Sequence, residues 1–155
     1  MLGLGHRFQF FVMIAVVMAG SAMTAGALPA ADPTVDALKA RVTTAGVGDR
    51  PHLCVQIAEH QLAEADKLYT ASDIDQAQTK LTDVVAYSEL ARDYSIQSHR
   101  YQKQTEIAVR VMTRKLTEVM HTLAHDDQAP LREAISHLQR VRDDLLASMF
   151  KKGAK

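Results

Sequence analysis

From His52 to Ala129 the chain has no glycine and no proline. These two residues are the strongest local breakers of regular structure, so their absence excludes a sheet protein with frequent tight turns. There is no tryptophan and a single cysteine, and aromatic residues make up only 5% of the chain. Pockets for cofactors and drug-sized ligands are usually rich in aromatic side chains, so their scarcity counts against a ligand-binding enzyme. One cysteine excludes an internal disulfide. The 18 basic residues are matched by 18 acidic ones, leaving no basic excess to neutralise nucleic-acid phosphates. No Gly-rich phosphate loop and no nucleophile elbow is present. Without a C-x-x-C-H run, covalent c-type haem is excluded as well. No cofactor is expected.

The N-terminal residues have a pattern of their own. Met1 to Gln9 carry one Arg and one His and no acid, and Phe10 to Ala19 form a compact apolar core. Ala25-Gly26-Ala27 then fits a signal-peptidase site. This is the layout of a secretory signal peptide over residues 1–27, and the apolar core is short of the ~20 residues needed to span a bilayer. An exported protein follows, periplasmic or extracellular, with no membrane attachment after cleavage. An uncleaved anchor is the competing possibility.

The remainder reads as a short helix and linker over 28–49, a helical domain over 50–150 and a tail over 151–155. Asp32 and Pro33 suit the start of the short helix, with Val35, Leu38 and Val42 along one edge. Asp49 and Pro51 suit the start of the next, whose stripe runs Cys54, Ala58, Leu62, Ala65, Leu68 and Tyr69. Ser72 with Asp75 makes a capping-box-like start, which puts a turn at Thr70 to Ser72. Asp126 to Pro130 marks another turn. The last helix carries Leu131, Ala134, Leu138, Val141, Leu145 and Met149.

Between those turns the hydrophobic stripe steps by three and four through Ile74, Ala77, Leu81, Val84, Ser88, Ala91, Ser95, Ser98, Gln102, Thr105, Val109, Met112, Leu116, Val119 and Leu123. Its phase does not change across the polar stretch 88–105. Unbroken phase predicts one long central helix, about 73–125, with antiparallel helical arms on each half. The arms would not reach 93–104, so the polar waist would need no apolar partner. Acidic residues lead the first half and basic residues the second, a layout favourable near helix ends. The alternative is a compact up-down four-helix bundle broken near 95–99, favoured by the small core that two helices alone bury. Both are all-α.

The residues around Ala65, Leu68, Ala77 and Leu81 resemble one degenerate tetratricopeptide hairpin. The Trp, packing Gly and closing Pro of that repeat are missing, and a second copy does not follow, so no array is implied. His52 to Phe150 is also similar to small secreted all-helical bacterial proteins of acidobacterial type. The similarity rests on Cys54-Val55-Gln56-Ile57-Ala58, Lys103-Gln104-Thr105-Glu106-Ile107 and Asp143-Asp144-Leu145-Leu146-Ala147-Ser148-Met149-Phe150. It implies an all-helical fold and no particular activity.

Few residues suggest chemistry. His121 and His125 are four apart, the spacing that lets two imidazoles on one helix bind a metal. No Glu follows His121, so the H-E-x-x-H protease pattern is absent. Solvated histidines stabilising a helix end are the simpler account. Cys54 lies near a helix N-terminus, where a thiol can be activated, and also on the apolar stripe, where it would be inert. Met112 and Met120 read as core filler. Tyr87, Tyr94 and Tyr101 recur every seven residues and form a ladder that either covers the edge of a seam or makes a contact surface. The function expected is non-enzymatic: a protein–protein interaction or scaffold role, with a metal-binding helical protein using His121 and His125 as the alternative. The partner could be a second copy, two long helices crossing antiparallel near Ser98 with the tyrosines flanking the crossing.

Overall fold

The computed structural model describes residues 33–151. The signal-peptide assignment, residues 1–27, and most of the tail lie outside them. Among the described residues the fold is all-α, as the periodicity predicts. Its helices are α1 (Val35–Thr44), α2 (Arg50–Thr70), α3 (Ile74–Ser98), α4 (Gln102–Thr122) and α5 (Ala129–Lys151), with a single 3-10 turn at His125–Asp127 before α5.

Helix starts follow the capping chemistry, with small shifts. Thr34 caps α1, its hydroxyl accepting from Ala37 N at 3.3 Å. Pro51 sits in the first turn of α2, where a missing N–H costs nothing. Asp73 caps α3 instead of Ser72, its carboxylate accepting from Gln76 N at 3.4 Å. Ser72 takes positive φ in the turn.

The single long helix over 73–125 is not formed. The chain breaks at His99–Tyr101, beginning at the last residue of the 95–99 stretch of the bundle alternative. His99 (φ 56°) and Tyr101 (φ 61°) adopt left-handed backbone, which histidine tolerates better than most side chains. Ser98 closes α3 locally. Its hydroxyl donates to Tyr94 O at 2.6 Å and accepts from Arg100 N at 3.3 Å, the side-chain competition with helical backbone that serine offers. Arg100 holds the link down from outside. It pairs with Asp49 at 3.4 Å and lies over Gly48, where a Cβ would come within 2.7 Å of its Nη1.

Phase continuity was misleading for a physical reason. Ser95 and Gln102, the last buried position of α3 and the first of α4, are seven residues apart, which is two helical turns. Both helices face one core, so a link of this length returns the stripe to its old phase without a continuous helix. The stripe itself is right. Ala77, Leu81, Val84, Ala91, Val109, Met112, Leu116 and Val119 are all buried.

The polar waist is not left open. It becomes the closed end of the bundle. Ser88, Ser95 and Thr105 are buried, and their hydroxyls are satisfied: Ser88 donates to Val84 O at 2.7 Å, and Ser95 and Thr105 pair at 2.9 Å. Gln102 Nε2 donates to Ser148 Oγ at 2.9 Å. Small side chains let helices approach closely there, and paired hydroxyls avoid the cost of burying an unsatisfied polar group.

Cross-helix pairs give the arrangement. α2 and α3 form one antiparallel hairpin and α4 and α5 the other, the second tied by Arg142 Nε to Glu106 at 2.9 Å. Asp144 reaches Arg92 at 3.0 Å and His137 reaches Glu89 at 3.1 Å, so α5 runs parallel beside α3. Lys115 meets Asp66 at 2.9 Å, bringing α4 beside α2. The main core draws Leu62 from α2, Leu81 and Val84 from α3, Leu116 from α4, and Leu131, Leu138 and Leu145 from α5. α1 forms a satellite, its Leu38 buried against Leu53 and Ile57 of α2.

Candidate functional site

Two seams between the hairpins stay open. The first, between α3 and α5, is a cleft of about 520 Å³. Leu81, Val85 and Ala134 line its floor, and Glu89 and His137 stand at one end. Beyond that pair it continues as a charged shelf lined by Arg92, Arg140, Asp143 and Asp144. Both Glu89 and His137 are half-buried. The pair braces α3 against α5, and among the described residues no Ser, Cys or Thr hydroxyl or thiol is bonded to the imidazole to act as a nucleophile.

The second seam, between α2 and α4, is a groove of about 460 Å³ with a more apolar floor of Leu62, Ala63, Val111 and Met112. Val111 is 47% exposed, and Ile107, one turn before it on α4, is 39% exposed. The rim is charged and mixed in sign: Glu59, Asp66 and Lys67 line it from α2, and Arg114, Lys115 and Glu118 from α4. Among the described residues Lys115 and Asp66 form the one ion pair across the floor, and Lys67 and Glu118 each pair within their own helix.

The tyrosine ladder serves contacts inside the chain. Tyr87 packs on the α1 satellite and lies under Lys39 Nζ, 5.4 Å from the ring centre. Arg50 covers Tyr94 at 5.2 Å, and Arg100 covers Tyr101 at 5.4 Å. His52 stacks on Tyr101 with ring centres 5.9 Å apart. Each ring thus meets a cation from the α1–α2 region or the 99–101 link, a favourable cation–π geometry. The ladder is where α1 and its linker dock. With α3 ending at Ser98, two long helices have no continuous stretch on which to cross there.

Asp83 was not legible as a structural centre. Its Oδ2 accepts from Gln61 Nε2 at 2.9 Å and from Lys39 Nζ at 3.3 Å, joining α1, α2 and α3. Lys39 is raised above its ordinary value by that bond and by nearby charge, against an opposing effect of burial that is the largest single influence. The sequence offers one weak signal, an amide at Gln61 on an otherwise apolar flank.

His121 and His125 are not on one helix. α4 ends at Thr122, Leu123 and Ala124 are extended, and His125 belongs to the following 3-10 turn. The i,i+4 geometry that would aim two imidazoles at one ion is therefore lost. His125 Nδ1 faces Arg132 at 3.5 Å, a cation unfavourable to a bound metal. Among the described residues no three His, Cys, Asp or Glu side chains cluster closely enough to hold a metal ion.

Cys54 is fully buried between Val55 and Ala91. Burial pushes its thiol from an ordinary 9.0 up to about 11, with Arg50 opposing weakly. The helix N-terminus does not activate it.

No described helix is long and apolar enough to cross a membrane. No family model matches the chain, and no match was found among curated proteins or solved structures.

Proposed function

We propose that this protein is an exported helical interaction or scaffold protein that binds another protein chain through the α2–α4 groove. The observation that carries this is the exposed Val111 on an apolar floor rimmed by charged side chains of both signs, with the exposed Ile107 one turn away on the same helix. An interface core is typically depleted in charge and ringed by polar groups, and the groove floor with its charged rim has that layout. Export rests on the N-terminal layout of residues 1–27.

A non-catalytic role fits the open α3–α5 cleft as well. Its Glu89–His137 pair is engaged in holding two helices together, and among the described residues no hydroxyl or thiol is bonded to it. The twin-histidine metal site has lost its geometric basis.

Val111→Glu tests the groove. Val111 is half-exposed, so a carboxylate there reaches water and leaves the fold within about 0.5 kcal/mol of the parent. Binding should suffer much more, because a charge buried unpaired at an interface costs several kcal/mol. The protein purified from its own source should carry a stoichiometric protein companion, a second copy or an unlike chain, that Val111→Glu loses while keeping its helical circular dichroism. A companion retained equally by both forms would place the binding surface elsewhere.

A further inference from the structure

We infer that the end of the bundle around the 99–101 link is a contact surface for an anionic phospholipid bilayer, with Phe150 entering the headgroup layer. This surface is separate from the α2–α4 groove and does not depend on it.

Charge is balanced in total but sorted along the bundle. Gln102, which starts α4, bonds Ser148 near the end of α5, and Arg100 pairs with Asp49 just before α2. Arg41 of α1 lines one recess with His52 and Tyr101. One end therefore gathers the last turns of α1, α3 and α5 with the first turns of α2 and α4. These turns and their links carry Arg41, Arg50, Arg100, Lys103 and Lys151 against the single acid Asp49. Lys152 and Lys155 follow in the sequence. The remote end leans the other way, with Asp73, Asp75, Asp126 and Asp127 against Lys67 and Arg132. A negative surface attracts the first end and repels the second, which holds the bundle end-on.

Helix stability does not account for all of these bases. Cations are favourable at helix C-termini and unfavourable at N-termini. Lys151 suits the C-terminus of α5, but Arg50 and Lys103 stand in the first turns of α2 and α4, which hold no acid. Arg50 is occupied, donating to Ala45 O and covering Tyr94. Lys103 is exposed and has no ion-pair partner among the described residues. Beside Lys151, Phe150 is 74% exposed, more than any other large hydrophobic side chain described. A protein interface needs a packed apolar core. A lone ring among cations suits instead a fluid layer that closes round it, where a basic patch supplies most of the attraction. No described helix can span a bilayer, and contact at the headgroup level needs none. It departs from the expectation that the exported chain has no membrane contact.

Flotation with vesicles of phosphatidylcholine containing about a third phosphatidylglycerol, against phosphatidylcholine alone, tests the surface. The full chain should bind the anionic vesicles far more strongly, and about 0.5 M salt should abolish the difference. Residues 1–27 are common to parent and variants, so a loss on substitution reports the bundle end. Lys103→Glu moves two charge units and should weaken binding roughly twentyfold, at about fivefold per charge. Phe150→Ser should weaken it about tenfold. Lys80→Glu makes the same charge change on α3, several Debye lengths of salt away from this end, and should leave binding within about twofold of the parent. Both lysines are exposed, and retained helical circular dichroism shows that each variant folds. Equal losses from Lys103→Glu and Lys80→Glu, equal binding to both kinds of vesicle, or no binding would overturn the bilayer contact. No vesicle binding together with a salt-sensitive growth in scattering mass would overturn it in favour of pairing with the acidic end of another copy.

Discussion

Replacing Leu138 by alanine should cost about 2–5 kcal/mol of folding stability. Leu138 is completely buried on α5, within the cluster that joins both hairpins. Truncation removes the transfer energy of the lost carbons and leaves a cavity that neighbours fill only partly. Because a domain of this kind has only about 5–15 kcal/mol in total, the variant should unfold at a much lower urea midpoint. Leu90→Ala on α3, at a residue already 38% exposed, should shift stability by less than about 1 kcal/mol. Equal losses at the two positions would mean that α5 is not packed into the core.

The second large effect is alkaline. Cys54 binds its proton more tightly in the folded chain than in the unfolded one, since burial raises its thiol from 9.0 to about 11. Stability tied to this group is therefore complete below about pH 9 and is lost as pH rises through about 11. Two pKa units correspond to about 2–3 kcal/mol at the alkaline limit. Thiolate absorbance in the folded protein should rise with a midpoint near 11, and Cys54→Ala should abolish that rise and flatten this part of the stability profile. Lys39, Lys115 and Tyr69 also hold their protons more tightly than usual. The difference between parent and Cys54→Ala isolates the thiol from them. A thiolate forming near pH 9 would show that Cys54 is reached by water.

Much of the core could be read from spacing alone. A three-and-four step through Leu81, Val84, Val109, Met112 and Leu116 requires only that one face be dry, and burial follows it faithfully. Topology was harder, because Ser95 and Gln102 share a phase whether or not the backbone between them is helical. What breaks the helix is a local exchange of hydrogen bonds at Ser98, followed by two left-handed residues that are neither Gly nor Asn. No Gly or Pro advertises it. The polar waist held the missing information: Ser88, Ser95 and Thr105 are small and can pair with one another or with backbone, the requirement for a closely packed helix end.

Site residues were less legible than the core. Tyr87, Tyr94 and Tyr101 do form a contact surface, but the surface that meets them is α1 with its linker, which a heptad count within α3 does not reveal. His121 and His125 satisfy a helical spacing rule in a segment where the helix has already ended. The α2–α4 groove was not visible at all. It exists because Lys115–Asp66 is the principal tie across a seam whose exposed residues, Ile107 and Val111, fall just off the stripe. Locating it needs the pairing of α2 with α4, which depends on the fold-back at 99–101.

That fold-back is the central claim, and one distance decides it. Spin labels at Lys80 on α3 and Glu118 on α4 would be on the order of 55 Å apart along a continuous helix, at 1.5 Å per residue. In the bundle both positions lie at the end remote from the 99–101 link, on helices that pack into one core. Interaxial spacings of 8–10 Å between neighbours then put the labels roughly 20–25 Å apart. A dipolar distance in that short range is the expected result, and a peak on the order of 55 Å would contradict the bundle and the α2–α4 groove together.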